Sequence, residues 1–328
     1  MTRLLHVTGP DDPAILEAAA VLALGGLVAF PTETVYGLGA DGLNPEAVAR
    51  IYAAKGRPVT NPVILHVADV AAARGLVSHW PAEAQVLAER FWPGPLTLVL
   101  PASDRVPSIV RAGGPSVALR CPDHPVALAL IRAAGRPLAA PSANRSQHLS
   151  PTLAQHVASS LGEVVDLILD AGPTEAGLES TILDLTGNRP RILRPGPLGP
   201  RELAALVGPV DLWEGAVKTG EVQAAPGMAL RHYAPRARLE LVAPGTGVRA
   251  VSGAVAYVGL GSLPTLPEGV RGILLPLDAE VVGARLYALL HELDDAGFER
   301  IFMERPPEGE AWLAVRDRLQ RASAKEQP

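Results

Sequence analysis

Two cations stand close together in the segment KGRPVTNP, residues 55–62, just ahead of His66. Lys55 and Arg57 flank a glycine, and two prolines stiffen the chain that follows. A lysine supplies a compact charge and an arginine a two-pronged donor, so the pair is suited to hold phosphate groups. Only three of the 29 basic residues are lysines, which favours a chemical requirement at Lys55. A solvated turn, and for His66 a half-buried core histidine, remain open as alternatives.

Hydroxyl and amide side chains form two further clusters. In PTETVYGLGAD, residues 31–41, we expect an extended chain in which Thr32 and Thr34 point the same way, because they are two residues apart. The segment APSANRSQHLSPT, residues 140–152, has the composition of an anion-binding loop that offers hydroxyl groups and backbone N–H groups. Either segment alone could be an ordinary turn or a loop that caps a helix.

Arginines and serines also occur on predicted strands. Residues 105–162 contain six arginines and one acidic residue, and within them Ser116 and Arg120 lie on one face of a strand. Further along, Ser180 begins a strand and Arg194 ends the next one. α/β proteins place their ligands at strand ends and loops. Cations and hydroxyls at such positions therefore favour a functional interpretation of all these clusters together.

Several kinds of site are excluded or disfavoured by the sequence. The phosphate-loop pattern GxxxxGK[ST], the hydrolase pattern GxSxG and zinc-type Cys/His spacings do not occur, so no protein-built metal site is predicted. GxGxxG occurs once, at 37–42, but too far from the preceding strand and the following helix for a dinucleotide fold. The single cysteine, Cys121, excludes a disulfide scaffold and fits the reducing cytoplasm. We expect no membrane span and a cytoplasmic protein.

The elements that must position these residues indicate an α/β (α+β) chain of about two domains. In residues 1–207 short strands outnumber helices, which predicts an open, twisted mixed sheet with helices packed against it. Residues 208–235 lack periodicity and are too long for an ordinary connection, so we interpret them as a linker or flap loop. Strands and helices alternate in residues 236–328, which predicts a small parallel α/β, Rossmann-like domain.

Seven motifs, in this order, resemble those of the threonylcarbamoyl-AMP synthases, the YrdC-like family: PTETVYGLGAD, KGRPVTNPVILHV, FWPGPLTLVL, SVALRCPDHP, APSANRS with SPT, ESTILDL and LRPG. The loop PGMALRHYAP and the C-terminal unit are similar to the longer, two-domain form. The resemblance implies that L-threonine, bicarbonate and ATP react to threonylcarbamoyl-adenylate and pyrophosphate. It implies that the product passes to tRNA-modifying proteins, and that Mg²⁺ enters with ATP.

The resemblance also implies roles for individual residues. The threonine contacts that it implies are Thr34, His66, Arg120 and Ser180. The ATP contacts that it implies are Arg57, Asn61, Ser116, Ser142, Ser150, Arg194, His232 and Tyr233, and Lys55 and Arg57 are the candidates for stabilising phosphate or carbamate charge. Thr32 belongs to the same pocket. After Ser146 the family usually has glycine, whereas Gln147 and His148 stand here, which leaves the register of Ser150 open.

Two competing functions are a double-stranded RNA-binding module and a carbamoyltransferase of the hydrogenase-maturation type. Residues 1–205 carry 16 basic and 18 acidic residues, and the whole chain has a net charge of -5, so strong direct nucleic-acid binding is not expected. The carbamoyltransferase normally carries cysteine-rich zinc segments, and this chain has one cysteine.

Overall fold

The computed structural model describes residues 2–213, 215, 217, 221–248 and 253–324. Part of the predicted loop, residues 214, 216 and 218–220, therefore lies outside the described residues. The described strands form two sheets, a mixed sheet of eleven strands and a parallel sheet of four.

The large sheet has the spatial order β1-β8-β2-β3-β7-β4-β6-β5-β9-β10-β11. Its strands are β1 (Arg3–His6), β2 (Val28–Phe30), β3 (Gly37–Asp41), β4 (Ile64–His66), β5 (Leu96–Pro101), β6 (Ser116–Arg120), β7 (Leu138–Ala139), β8 (Leu167–Asp170), β9 (Thr181–Asp184), β10 (Arg191–Arg194) and β11 (Asp211–Leu212). The helices that accompany it are α1 (Ala14–Ala23), α2 (Pro45–Lys55), α3 (Val70–Arg74), α4 (Ala82–Phe91), α5 (Pro125–Ala134), α6 (Ala154–Leu161) and α7 (Pro200–Val207).

Both faces of the large sheet are buried, which explains why its strands are short apolar runs rather than alternating ones. In β2, for example, Val28 and Phe30 pack in one apolar core with residues of α1 and α5. Ala29 points the other way and packs in a second core with residues of α2 and α4. One continuous apolar strand therefore serves both cores.

The second unit contains the four-stranded sheet, with spatial order β12-β15-β13-β14. Its elements are β12 (Arg238–Val242), β13 (Val255–Leu260), β14 (Val270–Leu275), α8 (Ala279–Asp295), β15 (Arg300–Glu304), a 3-10 turn at Glu310–Trp312 and α9 (Leu313–Ala322). All of its strand pairs are parallel, as the alternation of strands and helices in the sequence predicts. Within the residues described, no helix is long and apolar enough to cross a membrane.

Helix starts follow the local sequence signals. The side chain of Asn44 accepts hydrogen bonds from the backbone N–H groups of Glu46 and Ala47, and Pro45 occupies the first helical position of α2. At the start of α1, Asp12 accepts from the N–H of Ala14 in the same manner. These caps fix where α1 and α2 begin, and α2 ends at Lys55.

Residues 37–41, for which the sequence leaves a turn open as an alternative, form strand β3, paired antiparallel with β2. The reason is packing rather than backbone freedom. A side chain at Gly39 would place its Cβ 2.7 Å from the ring of Phe30 on the neighbouring strand. Glycine here permits close strand packing, and the GxGxxG match is not a phosphate-binding turn.

The two units are packed together through a shared apolar core. Val35, Leu149 and Leu178 of the first unit lie in one cluster with residues of α8, α9 and the second sheet. The backbone at Gly177, which has φ +67, approaches α8 so closely that a Cβ would lie 2.4 Å from the carbonyl oxygen of Ala284. The segment around residue 178 is thus held directly against the second unit.

Substitution of Gly196, in the LRPG motif, is expected to destabilise the fold. An alanine Cβ would lie 2.3 Å from the backbone nitrogen of Thr181 and 2.6 Å from the carbonyl carbon of Ser180, neither of which can move away freely. We expect Gly196→Ala to lower the free energy of unfolding by about 1–3 kcal/mol in urea titrations. Gly187→Ala is the control, because its nearest neighbour would be 3.9 Å away, and its stability should be unchanged or slightly higher. Equal stability of both variants would contradict the packing argument.

Candidate active site

A small cavity lies where several strands of the large sheet end. Strands β4 and β6 are parallel, and His66 pairs in register with Arg120 at their ends, so both side chains reach the same place. The cavity has a volume of about 40 Å³. Its polar lining comes from Thr32, Thr34, Arg57, His66, Arg120, Ser142, Glu179, Arg194, His232 and Tyr233.

Arg120 is held at one end of the cavity by three neighbours. Its Nη2 atom lies 2.7 Å from Oε1 of Glu33 and donates to the hydroxyl of Thr34 over 2.9 Å. Its Nε donates to the carbonyl of Gly94. Since Arg120 is only 4% exposed, this is a buried cation whose planar face and remaining donors are fixed in direction. The arrangement suits a ligand carboxylate.

The segment that carries Glu33 and Thr34, the partners of Arg120, is bent rather than extended as expected. Residues 31–36 bend, and Thr32 Oγ1 accepts from the backbone N–H groups of Thr34 and Val35. The two threonine hydroxyls nevertheless meet, 2.8 Å apart, because the bend closes around Thr32. The hydroxyl of Thr34 is thereby positioned on the cavity wall.

His66 is a neutral imidazole in this setting. It is 3% exposed, and its Nδ1 is buried with no hydrogen-bond partner. Burial, assisted by the positive charge of Arg120, lowers the pKa of His66 to about 3. An uncharged ring nitrogen facing the cavity can exchange a hydrogen bond with a ligand without adding charge.

Arg57 and Arg194 form the cationic wall. Arg57 is fixed by the backbone carbonyls of Asn61 and Pro62 and by the side chain of Asn61. Arg194 donates to the carbonyl and hydroxyl of Ser180. Burial lowers the pKa of Arg57 to about 10, so it keeps its charge at neutral pH. Both guanidinium groups are preorganised by neutral partners and are available to an anion.

Lys55 lies beside the cavity, behind its wall. Its ammonium group donates to the carbonyl of Ser142 over 2.5 Å and to that of Asn144, and its own carbonyl accepts from Ser146. Burial, together with repulsion from Arg57, lowers the pKa of Lys55 well below its ordinary value. The lysine thus anchors the loop that presents Ser142 to the cavity.

The loop at residues 145–150 keeps a glycine-type backbone without a glycine. Gln147 has φ 70, in the left-handed region, and its carbonyl accepts a hydrogen bond from Ala234. Ser150, three residues further on, is fully buried and donates to Oε1 of Glu179. The departure from the family pattern is therefore absorbed at Gln147.

The segment around His232 and Tyr233 closes the cavity. Both side chains line it, and both are buried. Burial lowers the pKa of His232 to about 3. A cavity of about 40 Å³ holds about one water molecule, whereas drug-sized ligands occupy roughly 300–1,000 Å³. The structure shows the site in a closed form.

Comparison with known proteins places the chain in a family. A family model described as "Telomere recombination" matches residues 20–196, and one described as "Threonylcarbamoyl-AMP synthase, C-terminal domain" matches residues 200–324. The threonylcarbamoyl-AMP synthase of Bacillus subtilis is 42% identical, over 95% of this chain and 94% of that protein. The chain belongs to the threonylcarbamoyl-AMP synthase family.

Two matches from Pyrococcus abyssi, one to a protein sequence and one to a crystal structure, cover nearly the whole chain. The threonylcarbamoyl-AMP synthase of this organism is 42% identical over 98% of both chains. The crystal structure of P. abyssi Sua5 complexed with L-threonine has a TM-score of 0.87 and 38% identity, and the match covers 98% of this chain and 97% of that one. The predicted two-unit α/β fold and the family resemblance are confirmed.

The structure brings most residues assigned by resemblance to the threonylcarbamoyl-AMP synthases to one place. The residues that line the cavity are Thr34, Arg57, His66, Ser142, Arg120, Arg194, His232 and Tyr233. Those that contact lining residues from behind are Lys55, Asn61, Ser150 and Ser180. Ser116 lies apart, at the opposite end of β6 from Arg120, where it pairs with Pro101 and is half-buried.

Sequence reasoning missed Glu33 and Glu179. Both stand inside the synthase motifs PTETVYG and ESTILDL, and each carboxylate contacts a buried arginine. The signal available was their position next to small hydroxyl residues, Thr32 and Thr34 for Glu33 and Ser180 for Glu179, since a carboxylate there can balance the charge of nearby arginines. Thr97 was also missed; its hydroxyl lies 2.7 Å from that of Ser180.

Acid should destabilise this synthase-family chain partly through His66. The folded state keeps the ring neutral down to about pH 3, whereas in the unfolded chain it takes up a proton near its ordinary value of about 6.5. Between these values the unfolded state binds more protons, so the free energy of unfolding falls as pH falls, by about 1.4 kcal/mol per pH unit for each such group. His66→Gln should therefore reduce this slope by about one proton in urea titrations between pH 6 and 4. An unchanged slope would show that His66 is charged when folded.

Proposed function

We propose that the chain is an L-threonylcarbamoyladenylate synthase, which converts L-threonine, bicarbonate and ATP into threonylcarbamoyl-AMP and pyrophosphate. The observation that carries this function is one cavity lined by the guanidinium groups of Arg120, Arg57 and Arg194, which suit a carboxylate and phosphates. Family membership at 42% identity over nearly the full length supports it. The product would pass to tRNA-modifying proteins in the cytoplasm.

The threonine would bind at the Arg120 end. Its carboxylate would pair with the guanidinium of Arg120, which already contacts Thr34 and Glu33. The neutral ring of His66 would form a hydrogen bond with a polar group of threonine. Ser180 would contribute from behind the wall, where it fixes Arg194. A carboxylate site beside a neutral acceptor suits an amino acid whose amine must remain reactive.

ATP would bind along the cationic wall. Arg57, Ser142 and Arg194 would contact the phosphates, with Asn61 and Ser150 holding that wall in place, while His232 and Tyr233 would cover the nucleotide. Ser116, at the far end of β6, would contact a more distant part of it.

The chemistry needs positioning and charge stabilisation more than covalent help from the protein. Threonine's neutral amine condenses with bicarbonate, by way of carbon dioxide, to a carbamate, and the amine's proton leaves with the hydroxyl of bicarbonate as water. A carbamate oxygen attacks the α-phosphorus, and the bond to pyrophosphate breaks. The developing phosphate charge would be stabilised by Arg57 and Arg194, which are fixed before reaction. Lys55 would support this by anchoring the loop that carries Ser142.

Mg²⁺ would enter with ATP. Among the described residues there is no group of three or more His, Cys, Asp or Glu side chains that could hold a metal ion. The carboxylates beside the cavity, Glu33 and Glu179, are each paired with an arginine. An ion bound to phosphate oxygens and water fits such a site, since Mg²⁺ usually keeps several waters. It would neutralise charge on the phosphates.

We also propose the division into a catalytic domain at 1–207, a linker or flap at 208–235 and a C-terminal domain at 236–328. Because the closed cavity is too small for ATP, the flap would have to open for the nucleotide to enter and close again to exclude water. Gly227, with φ +88, offers a hinge.

The proposed reaction and its threonine site are tested together. Pyrophosphate release from ATP should require both threonine and bicarbonate; release without threonine, or none at all, would refute the function.

Arg120→Ala should weaken threonine binding about tenfold to a hundredfold, the scale of a hydrogen bond to a charged group of ~1.5–3 kcal/mol. Binding of an ATP analogue should change much less in calorimetry. Arg132→Ala, an exposed arginine of α5, is the control. Equal weakening of both ligands would refute the assignment.

Flap closure should be visible in limited proteolysis. Trypsin can cut after Arg231, within the predicted flap. We expect slower cutting at this site when threonine and an ATP analogue are bound together than with either ligand absent, because the segment around His232 and Tyr233 then stays closed. Cutting after Arg201, at the start of α7, serves as the internal control. Identical cutting rates in all states would show that the segment is only a tether.

A further inference from the structure

The last helix of the second unit reaches the wall of the candidate site. Arg318 of α9 has no exposed surface and heads the largest fully buried side chains of the described residues. Its Nε donates to Oε2 of Glu179 over 2.8 Å, and its Nη1 donates to Asp317. Glu179 in turn lines the cavity. A residue 139 positions away in sequence is thus one contact from the site.

Arg318 also lies against the flap. The centre of its guanidinium group is 4.9 Å from the centroid of the Tyr233 ring, within the range of a cation–π contact. On another side, Tyr287 of α8 lies with its ring 5.9 Å from that of Tyr233. The second unit therefore supplies two of the groups around this ring, and His232, with its ring 4.0 Å away, supplies a third from the flap itself.

The backbone of Tyr233 needs such support. Its φ of 61 lies in the left-handed region, which is strained for a residue with a side chain. Its hydroxyl is buried without a hydrogen-bond partner. A strained and unsatisfied residue persists only where its surroundings determine its conformation, and strain of this kind gathers at functional sites.

The charge of Glu179 is fixed by the same guanidinium. Burial by itself would raise its pKa, but the charges of Arg318 and Arg194 and the hydrogen bond from Ser150 hold it at about 2. A buried ion pair is often no more stabilising than apolar packing, so stability alone does not explain this one. The pair fixes the position of the Glu179 carboxylate, to which Ser150 and Tyr287 also donate hydrogen bonds.

We propose that Arg318 is a positioning residue for the nucleotide half of the site: its plane fixes Tyr233, and its Nε fixes Glu179. It does not line the cavity, so it acts through these two residues. The inference rests on the proposed function and extends it, because it gives the second unit a role in ATP use. Arginine is required since a lysine could pair with Glu179 but has no flat face for the ring.

The test separates the charge from the plane. Arg318→Lys keeps a cation beside Glu179, so its melting temperature should stay within a few degrees of wild type. We expect its KM for ATP to rise about tenfold, while its KM for threonine changes less than about twofold. Arg316→Lys is the matched control, since Arg316 lies on the same helix and pairs with the exposed Glu308. Both kinetic constants of this control should stay at wild-type values.

A double variant covers the possibility that the lysine variant is unstable. Glu179→Gln with Arg318→Met removes both buried charges at similar volume, which buried ion pairs commonly tolerate. Its KM for ATP should still be raised, because the plane against Tyr233 is lost. Wild-type KM values for ATP in either variant, or equal losses for ATP and threonine, would overturn the positioning role. Failure of the proposed function is distinguishable, because the wild-type protein would then release no threonine-dependent pyrophosphate.

Discussion

Burial of positive charge is the constraint on which the site depends. Lys55, Arg57, Arg120, Arg194 and Arg318 are each less than a tenth exposed. Arg57, Arg120 and Arg194 line the cavity, while Lys55 and Arg318 contact its lining residues from behind. Because little water reaches these groups, carbonyl groups, hydroxyl groups and carboxylates must stabilise them. The strand ends, the loop at 140–152 and the second unit are arranged to supply these partners. The mutual repulsion of the cations, visible at Lys55 and Arg57, means that a polyanion entering the cavity finds charges already assembled for it.

Much of this arrangement could be read from local sequence. The cap at Asn44 and the apolar run at β2 depend on neighbours within a few residues, so local sequence patterns are enough to indicate them. The parallel pairing of β4 with β6 brings His66 and Arg120 together. In the sequence, only the family resemblance linked these two residues. Sequence patterns were sufficient to predict an element where a buried face or a helix cap determined it.

The rest depended on contacts that are distant in sequence. Strand β3 is the exception at short range: it pairs with the preceding strand β2, where the ring of Phe30 lies against its glycines, and glycines in a sequence are also typical of turns. The edge strand β1 forms by pairing with β8, more than 160 residues later. Glu179 forms its ion pair with Arg318, which reaches it from the other unit. Ser116 and Arg120 lie on the same face of β6 but at opposite ends of the strand. Their spacing predicts the shared face, but it does not place both side chains in one site.

The sequence distance between Glu179 and Arg318 also orders events during synthesis. The first unit leaves the ribosome long before α9 does, and until then a carboxylate beside the cavity lacks its cation. Contacts of such long range are formed late, after the entropy of closing a large loop has been overcome. The strands of the large sheet are all synthesised before α9, but at that stage Tyr233 lacks its contact with Arg318. The site is therefore completed only after α9 has been made and packed, and a chain without α9 lacks the contacts that fix Glu179 and Tyr233.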